Sequence, residues 1–183
     1  GCPLRCVYCD TQYAFSGGTA MGIDEILCEV EKFNVGSVTV TGGEPLAQKD
    51  TLSLLRRLCD KNFEVSLETS GAIDLGGVDR RVVKVVDVKT PGSKEVERNL
   101  WSNMEHLHSH DQIKFVICDR TDYEWGREKA ELIAAASSVE ILFSPSHEQL
   151  EPRLLAEWIL EDTLEVRFQI QLHKYLWGDE RGR

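Results

Sequence analysis

The 183-residue sequence lacks any apolar run approaching the ~20 residues that a membrane-spanning helix needs; no signal-peptide pattern is read in it, and since it opens on Gly1 rather than Met an upstream segment is expected to be missing. Positive charge is in short supply: 21 Lys and Arg stand against 31 Asp and Glu, a formal net charge of −10. A surface of that sign repels phosphate backbones and excludes nucleic-acid binding by overall charge. Histidine is absent before His106, and there is no internal repeat, low-complexity stretch or linker. The even cysteine spread of a disulfide framework is missing as well. Cys2, Cys6 and Cys9 crowd the first nine residues, while Cys28, Cys59 and Cys118 are scattered through regular segments. Clustered thiols read as metal ligands and scattered ones as core packing in a reducing compartment, which predicts a cytoplasmic protein.

What is present is an alternation of strands and helices. Short β-branched runs ended by Gly, Ser or Pro predict strands at 37–41, 65–69, 82–88, 112–117, 139–143 and 164–172. Apolar spacing predicts helices from Ile23 to Phe33, over 46–61, between 94 and 106, and over 123–136 and 150–160. This order implies an α/β fold with a mainly parallel sheet covered by helices. A complete eight-fold barrel takes ~250 residues. The expectation is therefore one domain over 1–183, a partial, open (β/α) barrel, with its ligand site beyond the carboxyl ends of the strands.

Cys2-Pro-Leu-Arg-Cys6-Val-Tyr-Cys9 spaces three thiols as C-x3-C-x2-C. An iron–sulfur cluster of four irons usually has four thiolate ligands, so three leave one iron open to a small molecule. A closed structural zinc site would need a fourth ligand, which does not follow on this loop. A redox pair at Cys6 and Cys9 would leave Cys2 unexplained.

The predicted strand ends are polar. Thr41-Gly42-Gly43-Glu44-Pro45 follows the first strand, with glycines that let the backbone approach a ligand and an acceptor at Glu44. Glu68-Thr69-Ser70-Gly71, Asp87-Val-Lys89-Thr90 and Ser144-Pro-Ser-His147 end later strands. Asp87 and Lys89 lie two apart on one face; an apolar barrel interior would make them costly, so they are expected to reach past the sheet edge.

The cysteine spacing, the aromatic Tyr8 before the last cysteine and the Gly-Gly-Glu-Pro turn together resemble the radical S-adenosylmethionine superfamily. Cys9-Asp10-Thr11, Glu-Thr-Ser-Gly, Asp87 to Ser93 and the terminal Gln171-x-His173-Lys174-Tyr175-x-Trp177-Gly178 resemble the 7-carboxy-7-deazaguanine synthase family. The resemblance implies a reduced radical SAM core that converts 6-carboxy-5,6,7,8-tetrahydropterin to 7-carboxy-7-deazaguanine with loss of ammonia, on the way to queuosine. It implies a [4Fe–4S] cluster on Cys2, Cys6 and Cys9, and S-adenosylmethionine held by Tyr8, Asp10, Gly43, Glu44, Asp87, Lys89, Ser144 and His147. Mg²⁺ would sit on Thr11, and the pterin on Thr41, Glu68 and His173. A homodimer and a one-electron donor such as flavodoxin are implied, with no nucleic-acid or membrane partner. The family's N-terminal strand and glycine-rich substrate segment, and its terminal carboxylate, have no counterpart here, so both ends are expected to be missing. A glycyl-radical activating enzyme would share the cluster and the turn; Thr11 and the tail favour the small carboxylated substrate.

Overall fold

The computed structural model describes residues 1–178 and 180. Its centre is a six-stranded sheet in which every pair is parallel and the strands follow chain order: β1 (Ser37–Val40), β2 (Glu64–Thr69), β3 (Val83–Val88), β4 (Gln112–Ile117), β5 (Glu140–Pro145) and β6 (Arg167–Phe168). A sheet that never reverses its order, joined by right-handed crossovers, keeps its helices on one face. Those helices are α1 (Ile23–Glu31), α2 (Thr51–Asp60), α3 (Arg120–Ala136) and α4 (Pro152–Glu161). This is the partial, open α/β barrel expected from the strand–helix alternation.

One side of each strand builds the core. Val65 and Leu67 of β2, Val86 and Val88 of β3, Ile113, Phe115 and Ile117 of β4 and Ile141 and Phe143 of β5 are buried with Leu55, Leu58, Tyr123, Leu155 and Ile159 from the helices. Local signals fix the helix ends. The Asp119 carboxylate accepts from Asp122 N–H at 2.9 Å to start α3, and Pro152 opens α4 where its missing N–H costs nothing.

The other side is polar, contrary to the expected apolar interior. Thr39 meets Ser66 at 2.8 Å, Ser37 meets Glu64 at 3.1 Å, and Gln112 donates to Glu140 at 2.8 Å, which also pairs with Arg167 at 2.9 Å. Asp87 therefore need not escape the sheet. It lies inside β3, directly opposite Lys114 of β4.

Four expectations on local structure are corrected. The segment 94–106 is not a helix but a set of 3-10 turns, Val96–Arg98 and Trp101–His106, after another at Pro91–Ser93. Asn99 exchanges hydrogen bonds with the Lys89 backbone, while buried Asn103 donates to Gly71 and Ile73 carbonyls and accepts from Leu75 N–H. Bonds to remote backbone replace those a helix would make. α2 begins at Thr51, because Pro45–Ala47 forms its own 3-10 turn. The last strand is only Arg167–Phe168, followed by a short helix α5 (Leu172–Trp177). Phe33 and Cys28 are exposed: α1 ends at Glu31, so Phe33 lies beyond the helix and off its stripe, and the chain turns away at Asn34, φ 51°. Cys59 is buried as expected.

Candidate active site

The cysteine loop lies across the carboxyl ends of β1 and β3. Glu44 N–H donates to Gly1 O at 3.0 Å, Val7 N–H to Ser93 O at 3.2 Å, and Arg5 N–H to Glu95 Oε1 at 2.5 Å. Cys9 N–H folds back on Cys6 O at 3.2 Å. Gly43 is packed so tightly here that a Cβ would sit 2.6 Å from Gly1 O and 2.9 Å from the Cys2 Cβ. Only glycine fits that approach. Burial pushes the Cys6 thiol up to about 11 and raises that of Cys9, so metal loading of this loop releases protons.

Glu44 has a different place from the one expected. It is buried, and its carboxylate accepts from Leu46 N–H, Thr69 Oγ1, Ser70 N–H and Ser70 Oγ. With its lone pairs engaged, it braces the Gly42–Gly43 turn against the end of β2 and is not aimed at a ligand's amino group. Glu44→Gln places amide hydrogens against these donors. A loss of about 2 kcal/mol is expected, or roughly 4–8 °C in the melting temperature, measured by calorimetry on the apoprotein.

Charges gather at the carboxyl edge. Lys89 Nζ is 3.2 Å from Asp87 Oδ1, and Lys114 Nζ is 2.9 Å from Glu68 Oε2 and 3.9 Å from Asp87 Oδ2. The Lys89–Asp87 contact is an ion pair without good hydrogen-bond angles, since Asp87 Oδ1 has no hydrogen-bond partner among the described residues. Burial works to lower both ammonium groups, but the carboxylates outweigh it and hold them above the usual lysine value. Lys89 lies 5.9 Å from the centre of the Tyr8 ring, whose buried hydroxyl also lacks a partner among the described residues. Burial and then the Asp87 charge push that phenol up.

The tail closes on the same loop. Gln171 Nε2 donates to Asp10 Oδ2 at 3.2 Å, His173 Nε2 lies 3.7 Å from that oxygen, and Thr11 Oγ1 donates to Asp10 Oδ1 at 2.6 Å. Ser144 is buried at the end of β5, whereas His147 is exposed beside a cleft of about 510 Å³ shared with Ser146, Gln171 and Lys174. A larger groove of about 930 Å³ under Trp101 and Trp125 holds none of the expected site residues. Thr41 is exposed just past β1. Thus Tyr8, Asp10, Thr11, Gly43, Glu68, Asp87, Lys89 and His173 share one edge. Lys114 was not anticipated; its only sequence signal is a charge at an alternating position within an apolar strand.

Residues 1–87 match the radical SAM superfamily. A 7-carboxy-7-deazaguanine synthase of Chlorobaculum tepidum is 45% identical over 186 aligned residues, covering 100% of this chain and 84% of that protein. One from Koribacter versatilis is 42% identical, covering 98% of this chain and 86% of its own. The chain belongs to the 7-carboxy-7-deazaguanine synthase family. Among solved structures, QueE from Escherichia coli superposes with a TM-score of 0.73 at 20% identity, covering 93% of this chain and 81% of that one. SuiB of Streptococcus suis bound to its precursor peptide SuiA gives 0.69 at 16%, covering 93% and 46%. These two likenesses show the fold.

A radical SAM enzyme of this family uses a [4Fe–4S] cluster and S-adenosylmethionine, and the site fits both. Among the described residues no three potential ligands converge on a single ion. Three cysteines that each hold a different iron of a cluster need not converge. The orphaned Tyr8 hydroxyl and Asp87 Oδ1, and the close approach at Gly43, are the features a polar ligand beside that loop would complete.

Proposed function

We propose that this chain converts 6-carboxy-5,6,7,8-tetrahydropterin to 7-carboxy-7-deazaguanine with release of ammonia. The observation that carries this reading is the likeness, along essentially the whole of this chain, to 7-carboxy-7-deazaguanine synthases. When bound, the cluster and S-adenosylmethionine supply the electron and the radical that takes hydrogen from the substrate. The protein's task is then to hold, orient and shield. Cys2, Cys6 and Cys9 bind the cluster. Gly43 brings backbone close to the cosubstrate, with Glu44 fixing the turn from behind. Tyr8, Asp10, Asp87, Lys89, Ser144 and His147 offer it polar partners. Thr41 and Glu68 face the pterin, whose N–H groups suit a carboxylate acceptor, and His173 reaches it from the tail.

The Thr11 hydroxyl, turned onto the Asp10 carboxylate at 2.6 Å, is a hard oxygen suited to Mg²⁺. There the ion would orient the substrate carboxylate. In Thr11→Ala the Mg²⁺ concentration for half-maximal turnover should rise at least about tenfold, with iron content unchanged. An unaltered metal response would remove Thr11 from the site.

No helix of the described residues is long and apolar enough to cross a membrane. A cytoplasmic location, a homodimer and an electron donor such as flavodoxin complete the reading; the net charge of −10 disfavours nucleic acid. The deciding experiment incubates reduced, reconstituted protein with S-adenosylmethionine and 6-carboxytetrahydropterin and follows the deazaguanine chromophore. Cosubstrate cleavage without that chromophore would refute the substrate assignment.

A further inference from the structure

We propose that Lys114 is a positioning residue that couples the two ligand sites, bridging Glu68 on the pterin side to Asp87 on the S-adenosylmethionine side. The inference rests on the proposed function, which places Glu68 and Asp87 against those two ligands.

The strand register builds the bridge. Asp87 of β3 and Lys114 of β4 are direct partners, while Glu68 of β2 lies opposite Val85 of β3, two residues before Asp87. All three side chains therefore stand on the polar face of the sheet. Lys114 spans β3 to reach Glu68 Oε2 at 2.9 Å and remains 3.9 Å from Asp87 Oδ2. With Lys89 on Asp87 Oδ1, the edge reads Glu68, Lys114, Asp87, Lys89, an alternation of charge that ends beside the Tyr8 ring.

Two consequences follow from this geometry. Lys114 holds one oxygen of Glu68, which fixes the plane of the carboxylate that the pterin meets. It also balances two carboxylates on neighbouring strands that would otherwise repel each other. A ligand that draws on Asp87 changes how much of the ammonium's charge Asp87 and Glu68 share. Occupancy of one site is then felt at the other, and linkage makes the effect reciprocal. The side chain is four-fifths buried, so water screens this exchange only weakly.

The test uses reconstituted holoenzyme of the wild type, Lys114→Met and Lys114→Arg under anaerobic conditions. Binding of S-adenosylmethionine is titrated with and without saturating 6-carboxytetrahydropterin, and steady-state constants are measured beside it. In the wild type the pterin should change cosubstrate affinity, in either direction, by about fivefold or more. In Lys114→Met that factor should fall to near one, and KM for the pterin should rise about tenfold while kcat changes far less. Arg, which keeps the charge, should restore most of both.

Unchanged coupling and KM in the Met variant, or Arg performing no better than Met, would overturn the proposal. If the wild type cleaves S-adenosylmethionine but neither binds nor converts the pterin, the proposed function fails. Lys114 is then judged by cosubstrate affinity alone, and an unaltered value in Lys114→Met overturns the bridge too. Should Lys114→Met not fold, judged by circular dichroism and iron content, Lys114→Gln takes its place in every measurement.

Discussion

Cys6→Ala should purify as a folded protein that has lost most of its iron and sulfide and no longer cleaves S-adenosylmethionine above background. Cys6 is half-buried in a loop fastened at Gly1, Arg5 and Val7 by the neighbouring turns, so the fold does not depend on its thiol. The cluster does, because only three protein thiolates are available and none of the other cysteines lies on that loop. Cys28 is exposed, and Ser there should stay within about 0.5 kcal/mol of the wild type. Cys59 is buried on the core side of α2, and Ser there should cost about 1–3 kcal/mol. Both variants should keep a full complement of iron, assayed beside the Cys6 protein. Iron retained by Cys6→Ala, or lost from either control, would break the ligand assignment.

Asp111→Ala should give the largest loss of stability. Lys84 and Asp111 are both fully buried at the amino end of the sheet, with Lys84 Nζ 2.9 Å from Asp111 Oδ2. The same carboxylate accepts from Lys84 N–H at 2.7 Å and His108 N–H at 2.8 Å. Removing it strands an ammonium and two backbone donors out of water, for a loss of about 3–5 kcal/mol. That is roughly 6–20 °C in the melting temperature. Lys84→Met should cost less, because Asp111 keeps its two backbone donors and lies 3.6 Å from His110 Nε2. Calorimetry of the two variants reads the asymmetry directly; equal losses would contradict it. Since the pair lies at the opposite end of the sheet from the cysteine loop, either variant that folds should still load iron.

Strands β1 to β5 were legible within a residue or two because each is a compact apolar, mostly β-branched run stopped by Gly, Ser or Pro. The segment after β3 is not legible because what holds it, Asn99 on the Lys89 backbone and Asn103 on Gly71, Ile73 and Leu75, lies 10 to 32 residues away in the chain. No local pattern records such bonds. The last strand was overextended for a related reason. Alternating apolar residues continue past Phe168, but Gln169 N–H closes on Phe143 O and the chain then turns toward Asp10.

The site divides in the same way. The cysteine triad and the Gly-Gly-Glu-Pro turn were readable because their chemistry depends on spacing along a few residues. Sequence position alone points Glu44 at a ligand; only the packed fold reveals that Thr69 and Ser70 consume its carboxylate. Lys114 is not legible in the sequence, because a lysine inside an alternating strand carries no hint of which face the sheet will present to the site.

The sequence by itself determined the order of strands and helices, the cysteine loop and the polar ends of the strands, since these follow from side-chain chemistry repeated over short intervals. The tertiary structure decided which polar groups are spent on one another and which are left to face a ligand. That choice depends on the register between neighbouring strands, which brings Lys114 level with Asp87 and within reach of Glu68, and register is set by the packing of the whole sheet rather than by any one strand.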